Sequence, residues 1–361
     1  MLAQSTGGVG RHVRQIVEGL DGDGFLIDVA APADLVVGMP KPVIPVAIPK
    51  GPLAGHAGAV GRLTEILKAR RYDVVHGHGL RAGLDAAVAA KRAGVPAVVS
   101  FHNLVQEEIS GRARTLLYRR LEPFAVRLAD RVVAVSEQAA DHLRRIAPKS
   151  AAKVSVVHVG VGERPRVARR AEEVRSELGL DPSARIVVTV ARLVPQKALD
   201  VLLAAVALLP DDVHLAIVGD GRLRGELETH ARASGIAPRA HFLGYKPDAA
   251  DYVAAADVFC LSSVWEAVPL AAQEAVLLGV PVVATDVGGL RELVEDGTSG
   301  RLTVPKDPQA LASALKEVLF DPRIARTYAH RALEDYVARF SRARMLQDLA
   351  TIYRALAATS A

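Results

Sequence analysis

Twelve short runs rich in apolar and β-branched residues, each followed by a stretch of helical periodicity, restrict this chain more than any other feature. Such alternation argues for parallel strands joined by right-handed helical crossovers, because a parallel neighbour cannot be reached through a tight hairpin. In the first half the strand candidates are 25–30, 43–48, 73–76, 97–101, 131–135 and 154–158. In the second half they are 185–191, 214–218, 241–244, 258–261, 281–285 and 300–304. Between the halves, Gly160-Val-Gly-Glu-Arg-Pro-Arg-Val-Ala-Arg-Arg170 is polar, basic and aperiodic, and reads as an interdomain linker. After about Asp321 only helical patterns remain. The expectation is an α/β chain of two facing Rossmann-like domains with a cleft between them.

Composition agrees. A length of 361 residues accommodates two domains with separate cores, and 50% hydrophobic with 4% aromatic residues is an Ala/Val/Leu-rich α/β profile rather than that of a β-sandwich. The single cysteine, Cys260, sits inside an apolar run. It excludes a disulfide framework or a thiolate cluster and reads as a buried thiol in a reducing cytoplasm. No apolar run reaches the ~18 residues that span a bilayer, and no signal-peptide pattern is present. A net charge of +5 is compatible with an anionic partner, a membrane surface included, and equally with a solubilising excess. Nothing in the pattern points to nucleic acid.

Chemistry concentrates at strand ends. The run Glu266-Ala-Val-Pro-Leu-Ala-Ala-Gln-Glu274 follows the 258–261 strand and sets two carboxylates eight residues apart across the start of a helix predicted over 270–279, with Pro269 suited to its first position. Arg192 and Lys197 follow the 185–191 strand, and Val218-Gly-Asp-Gly221 ends the next one. Ligands of open α/β sheets bind at such carboxyl ends, next to helix N-termini whose free N–H groups favour phosphate. In the first half, Gly7-Gly-Val-Gly10 precedes a helix over 10–20, and His102 ends a strand. His76 and His78 form an H-x-H able to ligate zinc, but the sequence offers no obvious third ligand, so a cleft-lining or structural role is expected and no metal site is assigned.

The order of an Arg/Lys pair, a Gly-Asp-Gly turn and a Glu with a second Glu eight residues on resembles the nucleotide-sugar half of family-4 retaining glycosyltransferases. Ser5-Thr-Gly-Gly-Val-Gly-Arg-His12, Asp73-Val-Val-His-Gly-His78, Val98-Val-Ser-Phe-His102 and Ala129-Asp-Arg-Val-Val-Ala-Val-Ser136 are similar to that family too. The resemblance implies the GT-B architecture: an acceptor-binding domain over 1–163, a nucleotide-sugar domain over 164–340, and a final helix over 341–361 crossing back onto the first domain. It implies transfer of a hexosyl unit from a nucleotide-diphosphate sugar to an acceptor hydroxyl by front-face displacement with retention, without a metal. Arg192 and Lys197 would stabilise the departing diphosphate, where negative charge builds as the anomeric bond breaks. Glu274 would bind the ribose diol and Glu266 the donor sugar, with His102 also on the sugar. Gly8, Val9, Gly219, Val268, Leu270 and Ala271 would contact the donor. The acceptor stays open among glycolipid, glycan and small metabolite, with a cytoplasmic location that extends to the inner face of the plasma membrane.

Other readings stay beside this one. Ala198 and Ala267 stand where the family usually has glycine, which leaves a nucleotide-sugar-binding protein without turnover as an alternative. A sugar-nucleotide 2-epimerase on the same fold is another. A nicotinamide-dependent oxidoreductase fits poorly, since the third glycine of G-x-G-x-x-G is missing. Residues 109–128 interleave Arg112, Arg114, Arg119, Arg120 and Arg127 with Leu116, Leu117, Leu121, Phe124 and Leu128, a pattern suited to an anionic interface and also to a helix packed on its own domain. Only Met1 to Gln4 precede the glycine turn where a central strand is expected, which points to a native start upstream of Met1.

Overall fold

In the computed structural model, the described residues are 8–32, 39–49, 51, 55–102, 112–267 and 269–359. The expected first strand and the expected start upstream of Met1 therefore lie outside the described residues, as does Val268. The chain divides into two compact units, Met1–Gly162 with Ser341–Ala361, and Glu163–Phe340.

The first unit holds a two-stranded parallel sheet, β1 (Val29–Ala31) with β2 (Val43–Pro45), and a four-stranded parallel sheet in the order β3 (Val75–His78), β4 (Ala97–Phe101), β5 (Arg131–Ala134), β6 (Val154–Val156). Strand β4 is buried along its whole length, which is why it reads as an unbroken apolar run. The helix Arg342–Ala358 begins at Ser341, whose hydroxyl accepts from the Arg344 N–H. It buries Met345, Leu349 and Leu356 against Ile16, Leu20, Val98 and Val133 of the same unit. Gly19 permits this approach, because a Cβ there would collide with the Leu346 side chain.

The strand predicted at 25–30 is displaced. Asp21 and Phe25 close a tight turn by an isolated bridge, and Asp21 Oδ1 accepts from Ile27 N at 2.9 Å, so residues 25–28 are held by the turn and pairing starts only at Val29. Strand β2 ends at Pro45, with Val46 N making the last bond to β1, to Ala31 O at 3.0 Å.

The second unit carries six parallel strands in the order β12 (Arg301–Thr303), β11 (Val282–Thr285), β10 (Val258–Leu261), β7 (Arg185–Val190), β8 (Val213–Val218), β9 (Ala240–Gly244). Side chains alternate between two buried layers. Ile186, Val188, Phe259 and Leu261 face one core, and Val187, Leu215, Val258 and Cys260 face the other. Burial pushes the Cys260 thiol far up, so it packs as a small apolar group. The chain winds outward from β7 through β8 and β9, then returns to the other side of β7 at β10. The order reverses between β7 and β10, the doubly wound arrangement in which ligands sit beyond the carboxyl ends of those two strands. Both units are Rossmann-like.

The expected linker is only partly free. Ala168 N donates to Asp251 Oδ1 at 2.7 Å, and the Arg169 guanidinium bonds Asp251, Asp248 and Glu177 at 2.9, 2.8 and 2.5 Å. Asp251 is buried and needs those donors, so this end of the basic stretch is built into the second unit.

Candidate active site

The reversal point is occupied by two loops fastened to each other. After β7 the chain passes Arg192, makes a short 3-10 turn at Pro195–Lys197, and enters the helix Leu199–Ala207 through Ala198. After β10 it passes Ser262, Ser263 and Glu266 and enters the helix Leu270–Leu278, with Pro269 at the N-cap, one residue earlier than expected. Ser262 Oγ lies 2.9 Å from both the Lys197 and Ala198 carbonyl oxygens. Gln196 Nε2 donates to Trp265 O, and Val264 N to Gln196 O, each at 2.9 Å. Thr285, at the end of β11, donates its hydroxyl to Ser263 O at 2.5 Å.

Within this frame Lys197 Nζ is ion-paired with Glu266 Oε1, and Ser263 Oγ donates to the same oxygen at 2.6 Å. Glu266 is only 5% exposed, so its carboxylate direction is fixed by these partners. An ammonium has three donors, and Glu266 uses one. Arg192 is exposed and, among the described residues, its guanidinium has no hydrogen bond or ion pair. Glu274 lies part-buried in the first turns of the helix that follows. The N–H groups of Leu270 and Ala271 belong to that helix's first turn, where no intrahelical acceptor exists.

Glycines set how closely these loops approach. Gly219 has φ +135°, and a Cβ there would run into the Ala191 carbonyl; at Gly221 it would lie 2.5 Å from Leu193 O. The Gly-Asp-Gly turn is thereby pressed under the Arg192 loop, with Leu193 N donating to Asp220 O at 3.0 Å. Gly288, which the sequence reading missed, has φ +54° and faces the Glu266 carbonyl oxygen directly. Its only signal was a glycine pair just past a strand. Ala198 adopts the left-handed conformation, φ 43° and ψ 47°, that glycine would take freely, at a cost of about 1 kcal/mol. Ala267 does not have a positive φ, so alanine there carries no such cost.

The remaining predicted residues belong to the first unit. Gly8 and Val9 form the first turn of the helix Gly8–Leu20, two residues earlier than expected. His102 follows β4 and is buried with His12, from that helix, and His78, from the end of β3. Burial holds His12 and His78 well below the usual imidazole range and takes His102 down to about 4, so all three rings are neutral at pH 7. His76 is separate: its Nδ1 lies 2.6 Å from Tyr353 Oη and its Nε2 2.7 Å from Ser100 Oγ. The H-x-H thus divides, one ring tying β3 to the C-terminal helix and the other joining two histidines that the sequence alone could not place beside it.

Comparison with known proteins agrees with this geometry. Residues 6–163 match the family described as Glycosyltransferase Family 4, and residues 170–335 match Glycosyl transferases group 1. A D-inositol 3-phosphate glycosyltransferase of Mycolicibacterium gilvum is 38% identical over 302 residues, 79% of this chain and 67% of the relative. An Escherichia coli UDP-Gal:alpha-D-GlcNAc-diphosphoundecaprenol alpha-1,3-galactosyltransferase is 31% identical over 270 residues, 72% of this chain and 69% of that one. Among solved structures, Anabaena HepE in complex with UDP-glucose superposes with a TM-score of 0.83 at 25% identity, covering 98% of both chains. With a Rossmann-like unit matching each of these two glycosyltransferase families and a relative 38% identical over two thirds of its length, the chain belongs to the family-4 glycosyltransferases.

Proposed function

We propose that this glycosyltransferase moves a hexosyl unit from a nucleotide-diphosphate sugar to an acceptor hydroxyl with retention of anomeric configuration. The observation that carries the reading is the Lys197–Glu266 pair, locked at the carboxyl ends of β7 and β10 where the strand order reverses. The acceptor oxygen forms a bond to the anomeric carbon as the bond from that carbon to the β-phosphate oxygen breaks. The acceptor proton passes to a leaving phosphate oxygen on the same face. Arg192 and Lys197 meet the charge that accumulates on the diphosphate, so no metal ion is needed for that step. Glu266 accepts from sugar hydroxyls and Glu274 from the ribose diol, since a carboxylate offers two acceptor oxygens. The N–H groups of Leu270 and Ala271, at the start of their helix, serve the donor's phosphates and sugar.

A UDP-sugar is the proposed donor, supported by HepE, which binds UDP and UDP-glucose. An inositol phosphate is the proposed acceptor, supported by the name of the 38%-identical relative. Thermal unfolding with UDP-, GDP- and ADP-sugars tests the donor. A saturating UDP-sugar at ~100 Kd stabilises by about 2.7 kcal/mol, and a shift with GDP- or ADP-sugars alone overturns the choice of base.

The helix Arg112–Leu128 supports peripheral binding to an anionic membrane. Leu116 and Phe124 are 60% and 49% exposed on the same helix as the exposed Arg119, Arg120 and Arg127. The side chains of Arg112 and Arg114, and residues 109–111, lie outside what is described. No described helix is long and apolar enough to cross a membrane. Sedimentation with phosphatidylserine-containing vesicles should pellet the protein at low salt and release it as salt rises, whereas a protein left in the supernatant at both salts contradicts membrane binding.

A further inference from the structure

We propose that His12, His78 and His102 form a binding site for a divalent transition-metal ion of the zinc class, separate from the Lys197–Glu266 site. Each side chain arrives from a different element: the helix Gly8–Leu20, the end of β3, and the position after β4. All three are buried, at 3%, 4% and 7% exposure, and one ligand nitrogen of each lies within 4.8 Å of the others.

The ring spacing, which also lies in the ordinary range of packed aromatic rings, matches that around a bound ion. Three imidazoles radiating from a tetrahedral zinc at Zn–N of about 2.0–2.1 Å have ring centroids about 5.2 Å apart and nitrogens about 3.4 Å apart. Here the three centroid separations are 5.5, 5.1 and 5.4 Å. One nitrogen pair, His78 Nδ1 and His102 Nε2, is already 3.2 Å apart. The other nitrogens need to close by an ångström or so, which small ring rotations supply.

Hydrogen bonding separates the ligands from their neighbour. Both ring nitrogens of His76 have partners, in Tyr353 and Ser100, although its ring lies 4.0 Å from that of His78. It therefore packs beside the site with its nitrogens committed elsewhere. His12 is the opposite case: among the described residues, its Nδ1 is buried without a hydrogen-bond partner. A buried polar atom left so costs about 1–3 kcal/mol, a cost that an ion bound at that nitrogen removes. Three neutral nitrogen ligands with the fourth position left to water is the donor set of open zinc sites. Borderline-soft imidazole also disfavours calcium and magnesium, which take oxygen ligands.

The test uses the full chain, freed of metal by dialysis against chelator and then titrated with zinc by calorimetry and with cobalt(II) by visible absorption. The expected result is one ion per chain and the intense d–d bands of tetrahedral cobalt. His12→Ala and His78→Ala should each weaken zinc at least about 100-fold, the upper end of what even outer partners contribute. His76→Gln should retain the cobalt spectrum, and circular dichroism should show each variant folded. Wild-type protein that gives no tetrahedral cobalt bands overturns the proposal, whatever the variants do. Undiminished zinc binding by folded His12→Ala also overturns it. Because the readout is metal binding, failure of the transferase reading would leave this result unaffected.

Discussion

Lys197→Ala is expected to lower turnover by roughly 100-fold or more, the size of effect seen when a preorganised charge-stabilising donor is removed. Lys197 is held by Glu266 and by the Ser262 contacts to its own backbone, so its charge is in place before the diphosphate departs. The same substitution has a second consequence. It leaves the buried Glu266 carboxylate with the Ser263 hydroxyl as its side-chain partner among the described residues, and breaking a buried pair by removing one side costs roughly 3–5 kcal/mol. The two effects separate in the double variant Lys197→Ala/Glu266→Gln, where a neutral amide restores stability but turnover stays low. Glu274→Ala should differ in kind. Ribose contacts are alike in ground and transition states, so KM rises while kcat holds. Steady-state kinetics alongside thermal unfolding checks all three. A Lys197→Ala enzyme with unchanged kcat removes the diphosphate role.

Gly288→Ala should destabilise the second unit strongly. Its φ of +54° alone costs an alanine about 1–2 kcal/mol. The added carbon would also meet the Glu266 carbonyl oxygen, a backbone atom that cannot rotate aside, and Gly289 N bonds that same oxygen at 3.3 Å. We expect a total of about 3 kcal/mol, a fall in Tm of roughly 6–12 °C for a unit of this size, and a raised KM for the donor as the Glu266 loop moves. Gly297→Ala is the control, since it has φ +72° with no atom within 4 Å of the built Cβ and should show the backbone cost alone. Equal Tm shifts for the two variants would mean that the contact with Glu266 is not what requires glycine at 288.

Much of this was legible in the chain, and the reasons are physical. Strands buried on both faces announce themselves as apolar runs, which is why 97–101 and 258–261 were read with their observed bounds. The strand expected at 25–30 misled because Phe25 and Ile27 are apolar yet held by the Asp21 turn, a polar interaction that hydropathy does not register. Arg192, Lys197, Glu266 and Glu274 stood out as charges at strand ends. What holds them did not. Ser262, Thr285, Gln196 and Gly288 act through contacts with residues distant in sequence, and serines, threonines and glycines near strand ends are too common to single out. The histidines show the same limit. An H-x-H is visible, but nothing in spacing says that His78 meets a helix residue 66 positions earlier while His76 turns to a tyrosine 277 positions later.

The central claim is that this site transfers a sugar with retention, and proton NMR of the product tests it most directly. The protein would be incubated with D-inositol 3-phosphate and whichever nucleotide sugar raises its Tm most, and the anomeric coupling followed from the first turnovers. A product with the same anomeric configuration as the donor, formed in step with release of the nucleotide diphosphate, is the predicted result. An inverted product, or an epimerised donor without transfer, would contradict it.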